Sequence, residues 1–522
     1  MSSTAATCPR RWRPPTSLST ACCRETEELG QMNAPQKPNV LLIVADDMGY
    51  GDFGLFSEGR VSTPNLDRLV EDGVCMQQHY SGSPICSPSR AALLTGRYPH
   101  RSGAITQHDL FGLDRIALRE TTIADCFTAA GYRTGLVGKW HNGSLDRRFE
   151  PTARGFQEFT GFCGGWSDYY DWHLRQNDGT LKGTGEYLTD VLTREACDFV
   201  DRHQADPFFL MLAYTAPHSP FQAPQDIIDR YLERGFGRIT ATTYAMIEVM
   251  DRGIGRVLDK LDATGLAENT IVLFTSDNGP AFFNPPFMMK PGEPTFNERF
   301  NAGLRGSKGW VYEGGIRVPM VIRHPAKLPA DRMNHELAHF TDWYPTLLRM
   351  CGIDNVGRCP LDGHDLTDQL SGQSLQTPPR RFWQWNFYYP NIETNAAVRD
   401  GDWKLVRPMI SGTRYYQNPD LYVSDEDERR TRAFIEADIA EREAPGSVRD
   451  ILPVPNLRHP AGEKPELYNL SQDPAEQFNL ADEQPGIVHR LLGELETWFE
   501  SVEHDRRTID DPLHSFEALP AR

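Results

Sequence analysis

The sequence has no run of about 18 apolar residues, the length that a helix needs to cross a membrane. It is also short of positive charge, because 54 Lys and Arg stand against 72 Asp and Glu, a net charge of −18 at pH 7. Nucleic acids and anionic membrane surfaces attract proteins with a broad basic field. We therefore expect neither as a partner, while a local basic pocket stays compatible with the charge.

Cysteines are few, with ten in 522 residues and none at Cys-x-x-Cys spacing, so a disulfide scaffold is not expected. Residues 1–36 contain arginines and prolines but lack the apolar core of a secretory signal, and we interpret them as a disordered extension. We expect a cytoplasmic protein, with a periplasmic or secreted location left open if the N-terminus is misassigned. The sequence leaves the oligomeric state open.

What the sequence does contain is a series of apolar runs that end in polar residues. In an open α/β sheet, ligands bind outside the carboxyl ends of the strands, so these polar residues are predicted to share one edge. The runs are 37–45 before Asp46 and Asp47, 132–137 before Lys139 and His141, 207–214 before His218, and 270–275 before Asp277 and Asn278.

Asp46, Asp47, Asp277 and Asn278 supply only oxygen ligands. Oxygen donors suit a hard divalent cation rather than zinc. Ca²⁺ is favoured because its loose geometry accepts two adjacent carboxylates from one loop, and Mg²⁺ is the alternative.

The residue pattern changes near position 380. Alternating aromatic and apolar residues after it, with an Asp400-Gly401 turn, predict an antiparallel sheet followed by a helix. The fold class is therefore α/β, with a large mixed, mostly parallel sheet sandwiched by helices in a catalytic domain at 37–379. A smaller α+β domain containing the antiparallel sheet follows at 380–522. Its charged run 424–442 is more typical of a solvated helix or loop than of a binding site.

The stretch 81–97 places a cysteine at the mouth of a helix. Ser87 and Pro88 are good N-cap and N1 residues, and Gly96 can end the helix, so Cys86 would face free backbone N–H groups. Such a helix end favours anions. The pattern alone also describes an ordinary thiol nucleophile.

Cys86-Ser-Pro-Ser-Arg90 resembles the signature of the type I sulfatases, members of the alkaline phosphatase superfamily whose cysteine is oxidised to formylglycine. The resemblance covers nearly the whole chain after residue 37. It extends to Asn39–Asp47 with Gly49–Asp52 (the first metal strand), Asp277–Gly279 (the second metal loop), Gly303–Pro319 (the segment of the active-site lysine) and Asp473–Leu480 (a C-terminal motif).

The resemblance implies an arylsulfatase-like alkaline-phosphatase fold and hydrolysis of an aryl or carbohydrate sulfate monoester. It also implies a formylglycine-generating enzyme as a partner during maturation. Cys86, as the formylglycine hydrate, would attack sulfur and lie at the metal with Asp46, Asp47, Asp277 and Asn278. Arg90, Lys139 and Lys308 would bind the sulfate, His218 would bind or protonate the leaving alcohol, and His141 would take the remaining hydroxyl proton.

Parts of the sequence also fit three other functions. A phosphonate or phosphate monoester hydrolase of the same superfamily is the nearest, and Asn278 favours the sulfatase over it. A zinc peptidase is suggested by His335-Glu336-Leu337-Ala338-His339, which fits the H-E-x-x-H pattern. That motif requires a helix, whereas Asp342 and Pro345 indicate a helix start directly after it.

The third is a carbohydrate-binding protein without catalysis. It rests on the aromatic residues of segment 142–187, interpreted as a surface excursion, and on the region around Trp383. The same residues suggest a platform for a sugar or an aromatic ring in a sulfatase. Aromatics at alternating positions are, however, more often core residues.

Overall fold

The longest apolar runs of the sequence lie at the centre of a ten-stranded sheet in the computed structural model of the protein. The structure describes residues 37–510 except 178, 283–295, 298, 374–378, 388, 410–423, 445–446 and 456–461. The extension predicted at 1–36 lies outside the described residues. Strand Asn39–Ala45 is buried at every position, as a continuous apolar run predicts for a strand covered on both faces.

The strands of this sheet are β1 (Asn39–Ala45), β2 (Val74–Tyr80), β3 (Arg133–Lys139), β4 (Glu158–Phe162), β5 (His173–Gln176), β6 (Gly179–Lys182), β7 (Phe208–Ala213), β8 (Thr270–Ser276), β9 (Met320–Arg323) and β10 (Arg332–His339). Their spatial order is β10-β2-β9-β8-β1-β7-β3-β4-β5-β6. β1 is parallel to β7 and β8, β3 is parallel to β7 and β4, and β2 is parallel to β10. β9 and the β4–β6 edge are antiparallel. The predicted mixed, mostly parallel sheet is confirmed.

Helices cover both faces of the sheet. The helices are α1 (Pro64–Glu71), α2 (Cys86–Thr95), α3 (Pro99–Ser102), α4 (Ile123–Ala129), α5 (Leu188–Arg202), α6 (Gln225–Glu233), α7 (Arg238–Ala263), α8 (Glu313–Ile316), α9 (Trp343–Cys351), α10 (Thr367–Leu370), α11 (Asp425–Glu443) and α12 (Pro485–Arg506). Leu41 and Ile43 of β1 pack in one core with α5, α6 and α7. Leu42 and Val44 pack in the other core with α2, α4 and α9. The alternation follows from the two-residue period of a strand.

A second sheet follows in the chain, as predicted. It consists of β11 (Arg381–Gln384), β12 (Ala396–Asp400), β13 (Trp403–Arg407) and β14 (Glu466–Asn469), all antiparallel in this order. Gly401 makes the predicted turn between β12 and β13 at a φ of 59°. α12 packs against this sheet. The domain boundary at 379/380 stays a prediction.

The prediction for segment 142–187 was wrong for the aromatic residues that are buried, whereas Trp166 and Tyr170 are only half-buried. The segment contains β4, β5 and β6, and Tyr169 and Trp172 are buried in the core of the large sheet. Trp383 and Trp385 are buried as well. These aromatic rings serve as packing rather than as an exposed platform, because the apolar area of each ring is removed from water.

In the described part of the chain, the helices are too short or too polar to cross a membrane.

Candidate active site

Oxygen-bearing side chains meet at the carboxyl ends of β1 and β8, because these neighbouring parallel strands end side by side. Asp46 and Asp47 follow β1, and Asp277 and Asn278 follow β8; all are at most 2% exposed. The backbone N–H of Asp47 donates to Asp277 Oδ1 at 3.2 Å, and Asn278 Nδ2 donates to Asp47 Oδ1 at 2.8 Å. The structure thus brings together the residues that the sequence predicts as cation ligands.

This donor set fits a divalent cation. Asp46 Oδ1 and Asn278 Oδ1 are buried and have no hydrogen-bond partner. Buried polar atoms are nearly always satisfied, and a hard cation would satisfy both oxygens. His218 Nε2 lies 3.7 Å from Asp47 Oδ2, so that Asp46, Asp47 and His218 also form a group tight enough to share an ion.

Cys86 is the first residue of α2, which begins two positions earlier than predicted, since Ile85 rather than Ser87 is the N-cap. The cysteine is only 2% exposed. Burial raises the pKa of the Cys86 thiol, although Lys139 and Lys308 pull in the opposite direction. The helix ends at Gly96 as predicted, in the left-handed conformation.

Arg90 lies one helical turn after Cys86 and is fully buried. Its Nε donates to Asp277 Oδ2 at 2.9 Å, and one terminal nitrogen donates to the carbonyl oxygen of Lys139 at 3.2 Å. The other terminal nitrogen has no hydrogen-bond partner. Arg90 therefore connects the cysteine helix to the second metal loop and keeps a donor for an anion.

Two lysines reach the carboxylates from different parts of the chain. Lys139 ends β3, and its Nζ donates to Asp46 Oδ2 at 2.6 Å. Lys308 comes from the loop before α8, and its Nζ donates to Asp47 Oδ2 at 2.8 Å. Burial alone would lower the pKa of Lys308, but Asp47 and Cys86 raise it, so the ammonium group stays charged. The two ammonium groups and Arg90 form a compact cationic wall around Cys86.

The two histidines have defined tautomers. His141 Nε2 lies 2.9 Å from the carbonyl oxygen of Gln107, which can only accept, so Nε2 carries the proton and the unpartnered Nδ1 is free to accept one. His218 Nδ1 lies 2.7 Å from the carbonyl oxygen of Ser219, which assigns the proton to Nδ1 and turns Nε2 toward Asp47. Burial lowers the pKa of His141 well below its usual value and that of His218 to about 3.

Comparison with known proteins identifies the family of this chain. The sequence model of the family described as "Sulfatase" matches residues 38–353. The chain belongs to the sulfatase family. A second model, "N-sulphoglucosamine sulphohydrolase, C-terminal", matches residues 306–437. The protein is accordingly a sulfuric ester hydrolase of arylsulfatase-like type.

Relatives of this sulfatase support the assignment. It is 35% identical to N-acetylgalactosamine-6-sulfatase of Canis lupus familiaris over 405 residues, which is 72% of this chain and 73% of the relative. It is 30% identical to arylsulfatase J of Mus musculus, over 94% of this chain and 80% of the relative. The crystal structure of Ps i-CgsB in complex with k-i-k-neocarrahexaose superposes with a TM-score of 0.72 at 26% identity, over 91% of this chain and 94% of that one.

The sulfatase also uses residues that the sequence analysis missed. Asp47 has a φ of 65°, and an Arg299 terminal nitrogen donates to its carbonyl oxygen at 2.9 Å. Asn142 Nδ2 donates to the carbonyl oxygen of Ser87 at 3.0 Å and so holds the first turn of α2. Arg299 lies in a segment without a motif, whereas Asn142 directly follows His141 and could have been singled out by that position.

The H-E-x-x-H pattern does not form a metal site in this sulfatase. It lies in strand β10, where four residues of extended chain separate His335 and His339 by about 13 Å and where the register shifts between Asn334 and Leu337. His335 is exposed, whereas His339 is buried against Tyr98 and Trp383. A helix would have placed the two histidines one turn apart, within reach of one ion, so the zinc peptidase alternative is wrong.

Proposed function

We propose that this sulfatase removes sulfate from a sulfate monoester of a saccharide, with Cys86 oxidised to formylglycine and Ca²⁺ bound beside it. The observation that carries the proposal is the convergence of three cationic side chains on the buried Cys86, whose thiol also lies in the field of Asp46 and Asp277. The saccharide is inferred from the relatives, whose names include an N-acetylgalactosamine-6-sulfatase and whose structures include one bound to a neocarrahexaose.

Asp46, Asp47, Asp277 and Asn278 would hold the cation. The metal would act as a Lewis acid toward sulfate oxygens, and the aldehyde hydrate at Cys86 would supply the attacking oxygen. Ca²⁺ is proposed over Mg²⁺ because Asp46 and Asp47 are adjacent in one loop. Elemental analysis of the purified protein tests this: a stoichiometric transition metal would instead favour the group that includes His218.

The cationic wall binds the sulfate group. Lys139, Lys308 and the free terminal nitrogen of Arg90 present N–H donors around Cys86, where negative charge accumulates as the S–O bond breaks. These donors are already fixed by Asp46, Asp47 and Asp277, so they need little reorganisation during the reaction. Their carboxylate partners are the residues that would also hold the cation.

The two histidines divide the proton transfers. His141 Nδ1, the unprotonated nitrogen, is placed to accept the hydroxyl proton that must leave before the aldehyde is regenerated. His218 presents Nε2 beside Asp47 and would exchange a proton with the oxygen of the leaving alcohol. Each ring is held by a backbone carbonyl, which fixes the nitrogen that faces the substrate.

Two measurements test the proposal. The mass of the peptide that contains Cys86 should show the loss expected for conversion of the thiol to an aldehyde when the protein is produced with a formylglycine-generating enzyme. Sulfate release from monosulfated sugars should accompany that conversion, and Cys86→Ala should abolish it without loss of folding. Cys197→Ala is a matched change of a half-buried thiol outside the site. It should keep both the conversion of Cys86 and the release of sulfate. An active protein with an unmodified Cys86 would refute the mechanism, and activity on phosphonate monoesters alone would refute the choice of substrate.

A further inference from the structure

A cavity of about 150 Å³ lies next to the proposed active site. Its wall includes Leu110 and Leu145, which pack in the same hydrophobic cluster as Cys86. Its wall also includes Gly165, which lies directly against the imidazole of His141: a Cβ at Gly165 would stand 2.8 Å from His141 Cε1. The cavity therefore begins where the alcohol part of a sulfate ester held at Cys86 would extend.

The cavity is strongly acidic. Five carboxylates line it, from Asp109, Asp168, Asp171, Asp438 and Glu441. Among the described lining residues, the single Arg or Lys is Arg175, and its guanidinium is already bound by both carboxylate oxygens of Glu150 at 2.8 Å. The field that a bound group meets is therefore negative, the opposite of the cationic wall around Cys86.

The repulsion within this group is visible at Asp109. Burial and, to a lesser degree, the neighbouring carboxylates Asp114 and Asp438 together raise the pKa of Asp109 to about 8. A carboxyl group in that range keeps its proton at neutral pH and can donate a hydrogen bond to a sugar oxygen. An additional anion in the cavity would be repelled by the same carboxylates, and this repulsion would not be relieved by a bound proton as it is at Asp109.

One wall of the cavity comes from α11, the charged segment interpreted from the sequence as solvated. Phe434 of this helix packs in the cluster that contains Cys86, and Asp438 and Glu441 follow it at helical spacing on the same face. The opposite face carries the half-buried Glu428, which pairs with Arg432, and the exposed Glu436. The interpretation therefore holds for one face of the helix and is wrong for the other.

The cavity also offers groups suited to an uncharged sugar. Ser144 Oγ is buried in the cavity wall without a hydrogen-bond partner, and a hydroxyl can both donate to and accept from a sugar hydroxyl. Trp166 supplies an indole ring to the same wall. Aromatic rings and hydroxyl groups bind the faces and edges of sugars without requiring charge.

We propose that this acidic cavity holds the alcohol part of the substrate and selects sugars that carry no anionic group besides the sulfate to be removed. The inference deepens the proposed function and rests on it. The enzyme is thereby specific for singly sulfated neutral or amino sugars rather than for densely sulfated or uronic-acid-containing chains. Asp438 and Glu441 are specificity-determining residues.

The test compares sulfate release, followed by ion chromatography, from monosulfated galactose, glucose and their N-acetylamino derivatives and from each sugar with a second sulfate. We expect kcat/KM to be at least about tenfold lower for the disulfated sugars, the effect of one unscreened like-charge contact in a partly buried site. The ratio of kcat/KM for the monosulfated sugar to that for the disulfated sugar should fall at least about threefold in Asp438→Asn/Glu441→Gln. Glu428→Gln/Glu436→Gln removes the same charge from the other face of α11 and should leave the ratio unchanged.

The outcomes separate the two proposals. Equal turnover of monosulfated and disulfated sugars, or a ratio that the Asp438→Asn/Glu441→Gln variant does not change, would overturn the inference while leaving the proposed function in place. An equal change in both double variants would assign the effect to net charge and would also overturn it. Failure of the formylglycine-containing protein to release sulfate from any sugar would refute the proposed function itself.

Discussion

Replacing Lys404 by methionine tests how the C-terminal sheet is joined to the catalytic core. Lys404, in β13, is fully buried, and its Nζ lies 3.0 Å from Glu313 Oε1 and 2.8 Å from Glu476 Oε1. Glu313 opens α8, whose Gly315 carbonyl accepts from the backbone N–H of Gly279 in the second metal loop. One ammonium group therefore connects the second sheet, the segment beside the metal loop and the C-terminal motif.

The expected loss is large because the carboxylates remain buried after the cation is removed. Breaking a buried ion pair by deleting one partner costs about 3 to 5 kcal/mol of unfolding free energy. Methionine keeps the volume and the apolar stem of lysine, so a cavity adds little to this cost. Glu313 keeps the Tyr80 hydroxyl and Arg317, whose guanidinium lies 3.8 Å away, and Glu476 keeps the backbone N–H of Glu313.

The loss should depend on pH in a defined direction. Burial raises the pKa of Glu476 from 4.5 to about 7, and Lys404 opposes that rise. Because the pKa is higher in the folded protein than in the unfolded chain, the folded state holds the extra proton between these values, and stability falls as the pH rises through about 7. Without Lys404 the pKa of Glu476 rises further, so the variant should lose more stability at about pH 8 than at about pH 5.

Urea unfolding at these two pH values measures the effect. Lys404→Met/Glu476→Gln should recover part of the lost stability at about pH 8, because one of the stranded carboxylates is then neutral. Lys260→Met, which removes an exposed partner of Asp201, should show no measurable change. The reasoning is refuted if Lys404→Met unfolds at the same urea concentration as the parent at both pH values, or if Lys260→Met is equally destabilising.

The other predictions concern the metal loops and the excluded zinc motif. In Gly279→Ala the new Cβ would lie 2.0 Å from a backbone carbonyl oxygen of α8, so we expect metal content and sulfate release to fall by at least about tenfold; normal metal content would contradict the predicted clash. Arg299→Met removes the partner of the Asp47 carbonyl oxygen and of the buried carboxylate of Asp52, so a loss of about 3 to 5 kcal/mol should appear in urea unfolding, together with weaker metal binding in an equilibrium titration; unchanged stability would assign Arg299 no supporting role. His335→Ala changes an exposed strand position, so elemental analysis should find the same metal content as in the parent, and loss of the metal would revive the zinc hypothesis.

Much of the fold could be predicted because local sequence periodicity carries it. Apolar runs predicted β1, β7 and β8 as strands, with β1 buried on both faces, and the structure confirms them. The antiparallel strands β12 and β13 were predicted from an alternating pattern around a two-residue turn. Segment 142–187 was misjudged, because aromatic residues in glycine-rich sequence look alike whether they pack in a core or line a surface.

The sequence by itself determined the chemistry of the candidate site. Residue types and their positions after strands indicated the oxygen donors Asp46, Asp47, Asp277 and Asn278, since parallel strands deliver their carboxyl ends to one edge. The motif around Cys86 indicated the family, which the comparison with known sulfatases confirms. These inferences need only the local pattern and the rules of sheet topology.

Only the tertiary structure decided what depends on contacts between distant segments. The protonated nitrogen of His141 is set by a backbone carbonyl 34 positions earlier, and the position of Asp47 depends on Arg299, 252 positions later. The acidic cavity combines Asp109 with Asp438 and Glu441 of α11. No sequence period relates such residues, because it is the packing of helices and loops against the sheet that makes them neighbours.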